Sequence, residues 1–299
     1  MKILIIGSKG FIGSHCLDYF KYSHDVWGCD IIPKNEEKKH FLVDIFNPDY
    51  NHIFQTHQFD LCINCSGAAN VTSSLKEPKE DFIANTINVI NILEAIRLYN
   101  PTCRFMTISS AAVYGNPSVL PITTKCQPNP VSPYGFHKYF AEELCKEYHM
   151  FWGVRTCCIR VFSAYGPGLK KQLLWDLYNK FNKEPAVELW GTGDETRDFI
   201  YIADLIRAID VIIRNSLFEA EIVNIANGQQ YSIRQIATFF AKEFGASEQI
   251  INFIGVERSG DPLYWEADIS KIQEWGYRPK ISIEEGIKKY IQWVREEQQ

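Results

Sequence analysis

An apolar run from Ile3 to Ile6 ends at Gly7. Gly10 and Gly13 follow at a spacing of three, and the pattern then turns helical with Phe11, Ile12, Cys16, Leu17 and Phe20. Few folds accommodate a strand, a glycine turn and a helix in that order. Gly7 permits a tight turn, Gly10 lets backbone N–H groups approach a phosphate with no Cβ between, and Gly13 lets the helix pack close to the strand. The N-terminus of the helix, with the N–H groups of Phe11 and Ile12, then faces a diphosphate with the positive end of its dipole. The spacing G-x-x-G-x-x-G is one residue longer than the usual dinucleotide fingerprint, and on the glycines alone an ordinary βα turn stays open. The next strand, Val26 to Asp30, ends in an acid. A carboxylate there accepts both hydroxyls of an adenosine ribose and repels a 2′-phosphate, which favours NAD over NADP. Asp44, with Ile45 beside it, follows the apolar Phe41-Leu42-Val43 and is expected either at the adenine or as a strand-end turn residue.

Downstream, Phe59 to Ser66 reads as a buried strand ending in Gly67-Ala68-Ala69, small residues that leave room for a cofactor along the backbone. Apolar spacing predicts one long amphipathic helix from about Glu77 to Tyr99, stopped by Pro101. Arg104 to Ser109 is a strand, Tyr134 to Trp152 a helix and Thr156 to Phe162 a strand. Alternating strands and helices over roughly 1–165 describe an α/β fold, a parallel sheet covered on both faces. The pattern then loosens into shorter elements, among them helices at Leu173 to Phe181, Asp204 to Arg214, Ser232 to Phe244 and Ile283 to Glu296. The expected organisation is a dinucleotide-binding domain over 1–165 and a smaller substrate lobe over 166–299, with no clean linker.

The chain has 299 residues, 46% of them hydrophobic, which suits a large buried core rather than disorder. A net charge of −5 without a basic block argues against a nucleic-acid partner, which needs Lys and Arg gathered on one face. No apolar run approaches the ~20 residues of a membrane span, and the N-terminus reads as a strand rather than a signal peptide. Nine cysteines scattered through apparent strands and helices are expected to be reduced and cytoplasmic. Cys62 and Cys65 form a C-x-x-C within a strand pattern, but no second pair has metal-ligand spacing, so no metal is expected.

Tyr134-Gly-Phe-His-Lys138 places a phenol and an ammonium one helical turn apart on one face. A free tyrosine with a pKa of ~10 is a poor base at neutral pH. A nearby ammonium stabilises phenolate, so the pair makes a proton acceptor and donor. The strand end Ile108-Ser109-Ser110 offers a hydroxyl at the rim of the sheet, ahead of Ala111-Ala112-Val113-Tyr114-Gly115. Arg197 and Arg258 lie in two Gly/Asp-rich loops, and a guanidinium fork from each suits a diphosphate.

With the glycine turn and Asp30, these motifs resemble the extended short-chain dehydrogenase/reductase family in its nucleotide-sugar epimerase/dehydratase branch, over nearly the whole chain. Further matching stretches are Arg160-Val-Phe-Ser-Ala-Tyr-Gly-Pro, Arg197-Asp-Phe-Ile-Tyr-Ile-Ala-Asp and Arg258-Ser-Gly-Asp. The resemblance implies a doubly wound, Rossmann-like sheet and bound NAD. It implies that Ser110 hydrogen-bonds the sugar hydroxyl or ketone, that Tyr134 moves the proton, and that Lys138 holds the nicotinamide ribose and tunes the tyrosine. Asn85 matches an asparagine near the cofactor. Arg197 and Arg258 would clamp the diphosphate of a sugar nucleotide, and Asp261 its ribose.

Departures from the family pattern carry equal weight. Ala111-Ala112 stands where sugar 4,6-dehydratases carry an Asp-Glu pair, so expulsion of water is not expected. Ser163 replaces an asparagine that contacts the diphosphate, Ser66 a frequent histidine, and His137 the common Ser or Thr. His137 reads either as a second proton relay or as a helix-surface residue. The activity implied is an NAD-dependent 4-epimerase acting on a nucleotide sugar, UDP- or dTDP-linked, through transient oxidation at C4. A 4-keto-6-deoxysugar reductase of the same fold is the alternative, and a non-catalytic NAD-binding protein a third. The resemblance also implies a homodimer packed through residues 79–99 and 134–150, and a place in surface polysaccharide precursor synthesis.

Overall fold

The computed structural model describes residues 1–33, 38–183, 186–256, 260 and 262–298. Two compact units share the chain. The first is Met1–Gly115 with Thr124–Val161 and Ile212–Asn224, and the second is Asn116–Thr123 with Phe162–Val211 and Ile225–Gln299.

In the first unit, β1 (Lys2–Ile6), β2 (Asp25–Asp30), β3 (His40–Leu42), β4 (Leu61–Asn64), β5 (Arg104–Ser110) and β6 (Thr156–Val161) pair in parallel in the order β6-β5-β4-β1-β2-β3. A seventh strand, Glu219–Ile225, lies beside β6. The apolar runs explain this placement: Ile3 to Ile6 and Leu61 to Ile63 are fully covered, as strands buried on both faces must be. The helices are α1 (Phe11–Phe20), α2 (Tyr50–Thr56), α3 (Val71–Lys76), α4 (Pro78–Phe82), α5 (Asn88–Tyr99) and α6 (Pro133–Trp152). Phe54 of α2, Ile92, Leu93 and Ile96 of α5, and Cys145 and Tyr148 of α6 share one core with Leu4, Cys62 and Phe105. Strand order reverses at β1, between β2 and β4, and in such sheets the crevice at the strand carboxyl ends is where ligands bind.

The segment expected as one helix from Glu77 to Tyr99 is helical throughout but not uniform. A π-helical turn, Ile83–Ile87, separates α4 from α5. Such turns widen the backbone locally and recur at functional sites. Two short helices escaped the periodicity because each has barely two turns. Both nevertheless begin at a capping side chain: Asp49 accepts the His52 N–H for α2, and Asn70 accepts the Ser73 N–H for α3. α6 starts with Ser132 as N-cap and Pro133 in its first turn, and ends at Gly153 in the left-handed conformation.

In the second unit, β7 (Ser163–Tyr165) and β9 (Thr196–Tyr201) pair in parallel, and Gln230–Ser232 joins β9 antiparallel. β8 (Val187–Leu189) pairs with Ile251–Phe253. The helices here are α7 (Gln172–Lys183), α8 (Ile202–Asn215, of which the residues from Ile212 on belong to the first unit), α9 (Ile233–Phe244), α10 (Ser270–Glu274) and α11 (Ile283–Glu297), with α9 packed against both α7 and α11. No described helix is long and apolar enough to cross a membrane.

Candidate active site

The glycine turn after β1 is tight. A Cβ on Gly13 would sit 2.1 Å from the Gly7 carbonyl oxygen, and one on Gly7 would sit 2.6 Å from the Ser66 nitrogen after β4. Gly7 also adopts φ +78, open to few other residues. Gly10 caps α1 without any side-chain hydrogen bond, and no acid stands in the first turn, so Phe11 and Ile12 begin a helix end suited to an anion. Asp30, at the end of β2, is buried. Its carboxylate accepts the Lys9 N–H at 2.8 Å and the Ile32 N–H at 3.1 Å. Asp44 and Ile45 are exposed beyond β3, and Asp44 accepts the Phe46 N–H at 2.8 Å, a turn-capping contact.

Ser110, Tyr134 and Lys138 come together. Ser110 ends β5, and its hydroxyl lies close enough to the Tyr134 phenol to lower its pKa. Ser110 Oγ also accepts the Ala112 N–H at 3.1 Å. The start of α6 is held by the Tyr134 N–H, which donates to Ser74 Oγ at 3.1 Å. Lys138 Nζ lies 6.0 Å from the centroid of the Tyr134 ring and donates to the Ile108 carbonyl at 2.9 Å. Burial pushes the phenol of Tyr134 up to about 12, against the Ser110 hydroxyl that holds it down. Burial also pulls Lys138 down to about 8, against the opposing attraction of Asp81.

Asn85 sits in the π-helical turn, fully buried, and neither its oxygen nor its nitrogen has a hydrogen-bond partner among the described residues. A Cβ on Gly67 would meet Asn85 Oδ1 at 2.5 Å and Lys138 Nζ at 3.4 Å. Gly67, Asn85 and Lys138 therefore converge on one point beside the start of Ala68-Ala69, where Ala68 is half-buried and Ala69 exposed.

Several partners of these residues, among them Asn64, Asn88, Tyr50, Glu142 and Asp81, were not singled out from the sequence. Ser66 Oγ donates to Asn64 Oδ1 at 2.5 Å and accepts from Asn88 Nδ2 at 2.8 Å, and Asn88 Oδ1 accepts from Tyr50 at 2.9 Å. The chain of bonds holds β4 to α5 below the glycine turn. Glu142 binds Arg160 at 2.6 Å and accepts from the Ser109 hydroxyl at 2.5 Å. Glu142 lies four residues after Lys138 on the same helical face, a spacing that would have marked it. His137 is no surface residue: it is buried with Nδ1 at 2.6 Å from the carboxylate of Asp81 on α4.

In the second unit, Ser163 begins β7 and is half-buried. Arg197 on β9 donates from Nη1 to the Thr196 and Leu263 carbonyls at 2.8 and 3.3 Å, with its guanidinium 5.6 Å from the centroid of the Trp265 ring. Arg258 and Asp261 lie outside the described residues.

Residues 3–226 match the NAD dependent epimerase/dehydratase family. A putative UDP-glucose 4-epimerase of Methanocaldococcus jannaschii is 30% identical over 98% of both chains. The chain belongs to the NAD-dependent epimerase/dehydratase family. A UDP-glucuronate 4-epimerase of Thermodesulfobacterium geofontis is 28% identical, over 98% of this chain and 96% of that one. Among solved structures, the UDP-glucuronic acid 4-epimerase of Bacillus cereus, in complex with UDP-glucuronic acid and NAD, superposes with a TM-score of 0.90. It is 27% identical over 99% of both chains.

The family's NAD fits the residues present. The Gly7/Gly13 approach leaves no room for side chains where a diphosphate would lie, and Asp30 stands at the strand end suited to an adenosine ribose. The amide of Asn85 beside Lys138 is a buried polar group that no described residue satisfies, as expected of one that meets a ligand.

Proposed function

We propose that this member of the family is an NAD-dependent nucleotide-sugar 4-epimerase with a UDP-linked sugar as substrate. The observation that carries the reading is the buried meeting of Ser110, Tyr134 and Lys138 next to the Asn85 amide that no described residue satisfies, with alanines at 111 and 112. Tyr134 takes the proton of the C4 hydroxyl, Ser110 donates to the C4 oxygen, and Lys138 stabilises the phenolate. The chemistry that NAD would supply here is a hydride acceptor and donor for C4 and a cationic ring that favours the phenolate. Tyr134 would return the same proton to the C4 oxygen once the sugar has presented its other face, so that the net change is the configuration at C4 alone. Gly7, Gly10, Phe11, Ile12, Gly13 and Asp30 hold the diphosphate and adenosine ribose of the cofactor. Gly67, Ala68, Ala69 and Asn85 line its path toward Lys138, and Asp44 with Ile45 stands at the adenine. Arg197, with Arg258, grips the substrate diphosphate, joined by Ser163 and Asp261. Without an acid at 111 or 112, the chain has no counterpart of the dehydratase pair to expel water.

The nucleotide released on denaturing the purified protein tests this reading. NAD or NADH at near one per chain supports a recycling epimerase, and incubation with UDP-glucuronic acid and UDP-glucose should then yield the 4-epimer. Stoichiometric loss of added NADH absorbance with a 4-keto sugar nucleotide would overturn it in favour of a reductase. Replacing Tyr134 with Phe should cut turnover by about 10²–10⁴-fold with an unchanged circular dichroism spectrum.

The working form we propose is a cytoplasmic homodimer, engaged in making activated sugars for surface polysaccharide. All nine cysteines are free, which suits a reducing compartment. Leu98 of α5 and Phe136, Phe140 and Phe151 of α6 are each exposed by 42% or more, an apolar face suited to a second copy of the same helices. Sedimentation as a monomer would overturn the dimer.

A further inference from the structure

We propose that Asp81 and His137 act as a buried, net-neutral pair that sets the pH range over which Tyr134 and Lys138 exchange a proton, with His137 cancelling the charge of Asp81. The inference rests on Tyr134 as the proton-transfer group of the reading above. His137 precedes Lys138 on α6 and lies one turn after Tyr134. Its Nδ1 is 2.6 Å from Asp81 Oδ2, while Asp81 Oδ1 is buried with no hydrogen-bond partner among the described residues. The rings of Phe82 and Phe140 flank the imidazole at centroid distances of 5.2 and 6.4 Å, and Thr86 Oγ1 donates to the His137 carbonyl at 3.0 Å.

A carboxylate this deeply buried is costly unless it is paired, and among the described residues its side-chain partner is His137. One proton shared between the two groups leaves the pair neutral, wherever the proton resides. The compensation matters because the Asp81 charge acts on both reacting groups, making each hold its proton more tightly. Other groups face the couple as well. Ser110 and the Ile108 carbonyl are neutral, and so is the thiol of Cys158, which its contact with the Cys145 thiol, together with burial, pushes well up. Cys65 approaches from the end of β4. Glu142 is held on Arg160 at 2.6 Å, a countercharge that does not titrate.

The test is the pH profile of kcat for the NAD-loaded wild type, His137→Asn and the double variant Asp81→Asn/His137→Asn. In His137→Asn, Asp81 is uncompensated, so both limbs should move to higher pH together by roughly half a unit or more. The double variant removes the charge as well and should bring the limbs back. A merely structural role for His137 would lower the maximum without displacing it, and the double variant would be no better. Unmoved limbs in folded His137→Asn, or limbs left displaced in the double variant, would overturn the proposal. The ionisation of Tyr134 is also read without turnover, as the ultraviolet tyrosinate difference between each NAD-loaded protein and its Tyr134→Phe counterpart. A wild type with no epimerase turnover but the same displacement by this readout would sink only the epimerase reading. Full turnover with no displacement would sink only the pair.

Discussion

Glu142 on α6 and Arg160 on β6 form a two-pronged pair, with Nε to Oε1 at 2.9 Å and Nη2 to Oε2 at 2.6 Å. Both residues are buried, at 3% and 2% exposure, and the Arg160 guanidinium lies 4.5 Å from the centroid of the Tyr114 ring. Through the Ser109 hydroxyl the same carboxylate reaches the residue next to Ser110. The pair therefore ties the helix carrying Tyr134 and Lys138 to the strand carrying Ser110.

Glu142→Ala leaves a guanidinium buried without its partner. Removing one member of such a pair costs about 3–5 kcal/mol, far more than the net contribution of the intact pair. Urea unfolding should show a loss of that size, with a lowered midpoint. A midpoint equal to that of the wild type would mean Arg160 had found other partners.

Gly13→Ala places a Cβ 2.1 Å from the Gly7 carbonyl oxygen and 2.8 Å from the Gly7 carbonyl carbon, both backbone atoms that a rotamer change cannot move. The turn has to open. We expect a loss of stability of about 1–3 kcal/mol, the usual cost of overpacking, and weaker NAD binding with it. Calorimetric titration of the cofactor-free protein with NAD checks the second effect, and unchanged affinity would detach this turn from the cofactor.

Asp30→Ser removes the carboxylate that accepts from Lys9 and Ile32. Affinity for NAD should fall by about tenfold, ~1.4 kcal/mol, while discrimination against NADP narrows as the repulsion of a 2′-phosphate disappears. Parallel titrations with the two cofactors decide it. A ratio that stays as in the wild type would place the ribose elsewhere.

Asp198 on β9 accepts N–H groups from Asn227, Gly228 and Ala267 at 2.9, 3.1 and 3.1 Å, and so ties β9 to two loops of the second unit. Burial nevertheless pushes it from its ordinary 3.8 up to about 7. Between those two values the folded chain keeps a proton that the unfolded chain has released. Its contribution is thus complete below about pH 4 and is lost as pH rises through about 7, amounting to about 3–4 kcal/mol. Compared with Asp198→Asn, the wild type should lose stability more steeply across that window in urea unfolding. Parallel slopes would show that the backbone donors keep the carboxylate ionised.

The sequence by itself determined the features that depend on near neighbours. The Ile3–Ile6 run followed by Gly7, Gly10 and Gly13 specified a strand, a turn and a helix, because allowed backbone angles and apolar spacing operate over a few residues. The spacing of Tyr134 and Lys138 on one helix was legible for the same reason. Tertiary structure decided what crosses the chain. It set Asp81 against His137, Arg160 against Glu142, and the amide of Asn85, turned inward by a π-helical turn, beside Gly67 and Lys138. A histidine in a helical sequence has no fixed environment until another segment packs over it, and the approach of α4 made His137 a buried partner of a carboxylate. Local sequence limits which residues can share a face of one element. Packing of distant elements then decides which charges meet, how dry they are, and hence what protons they hold.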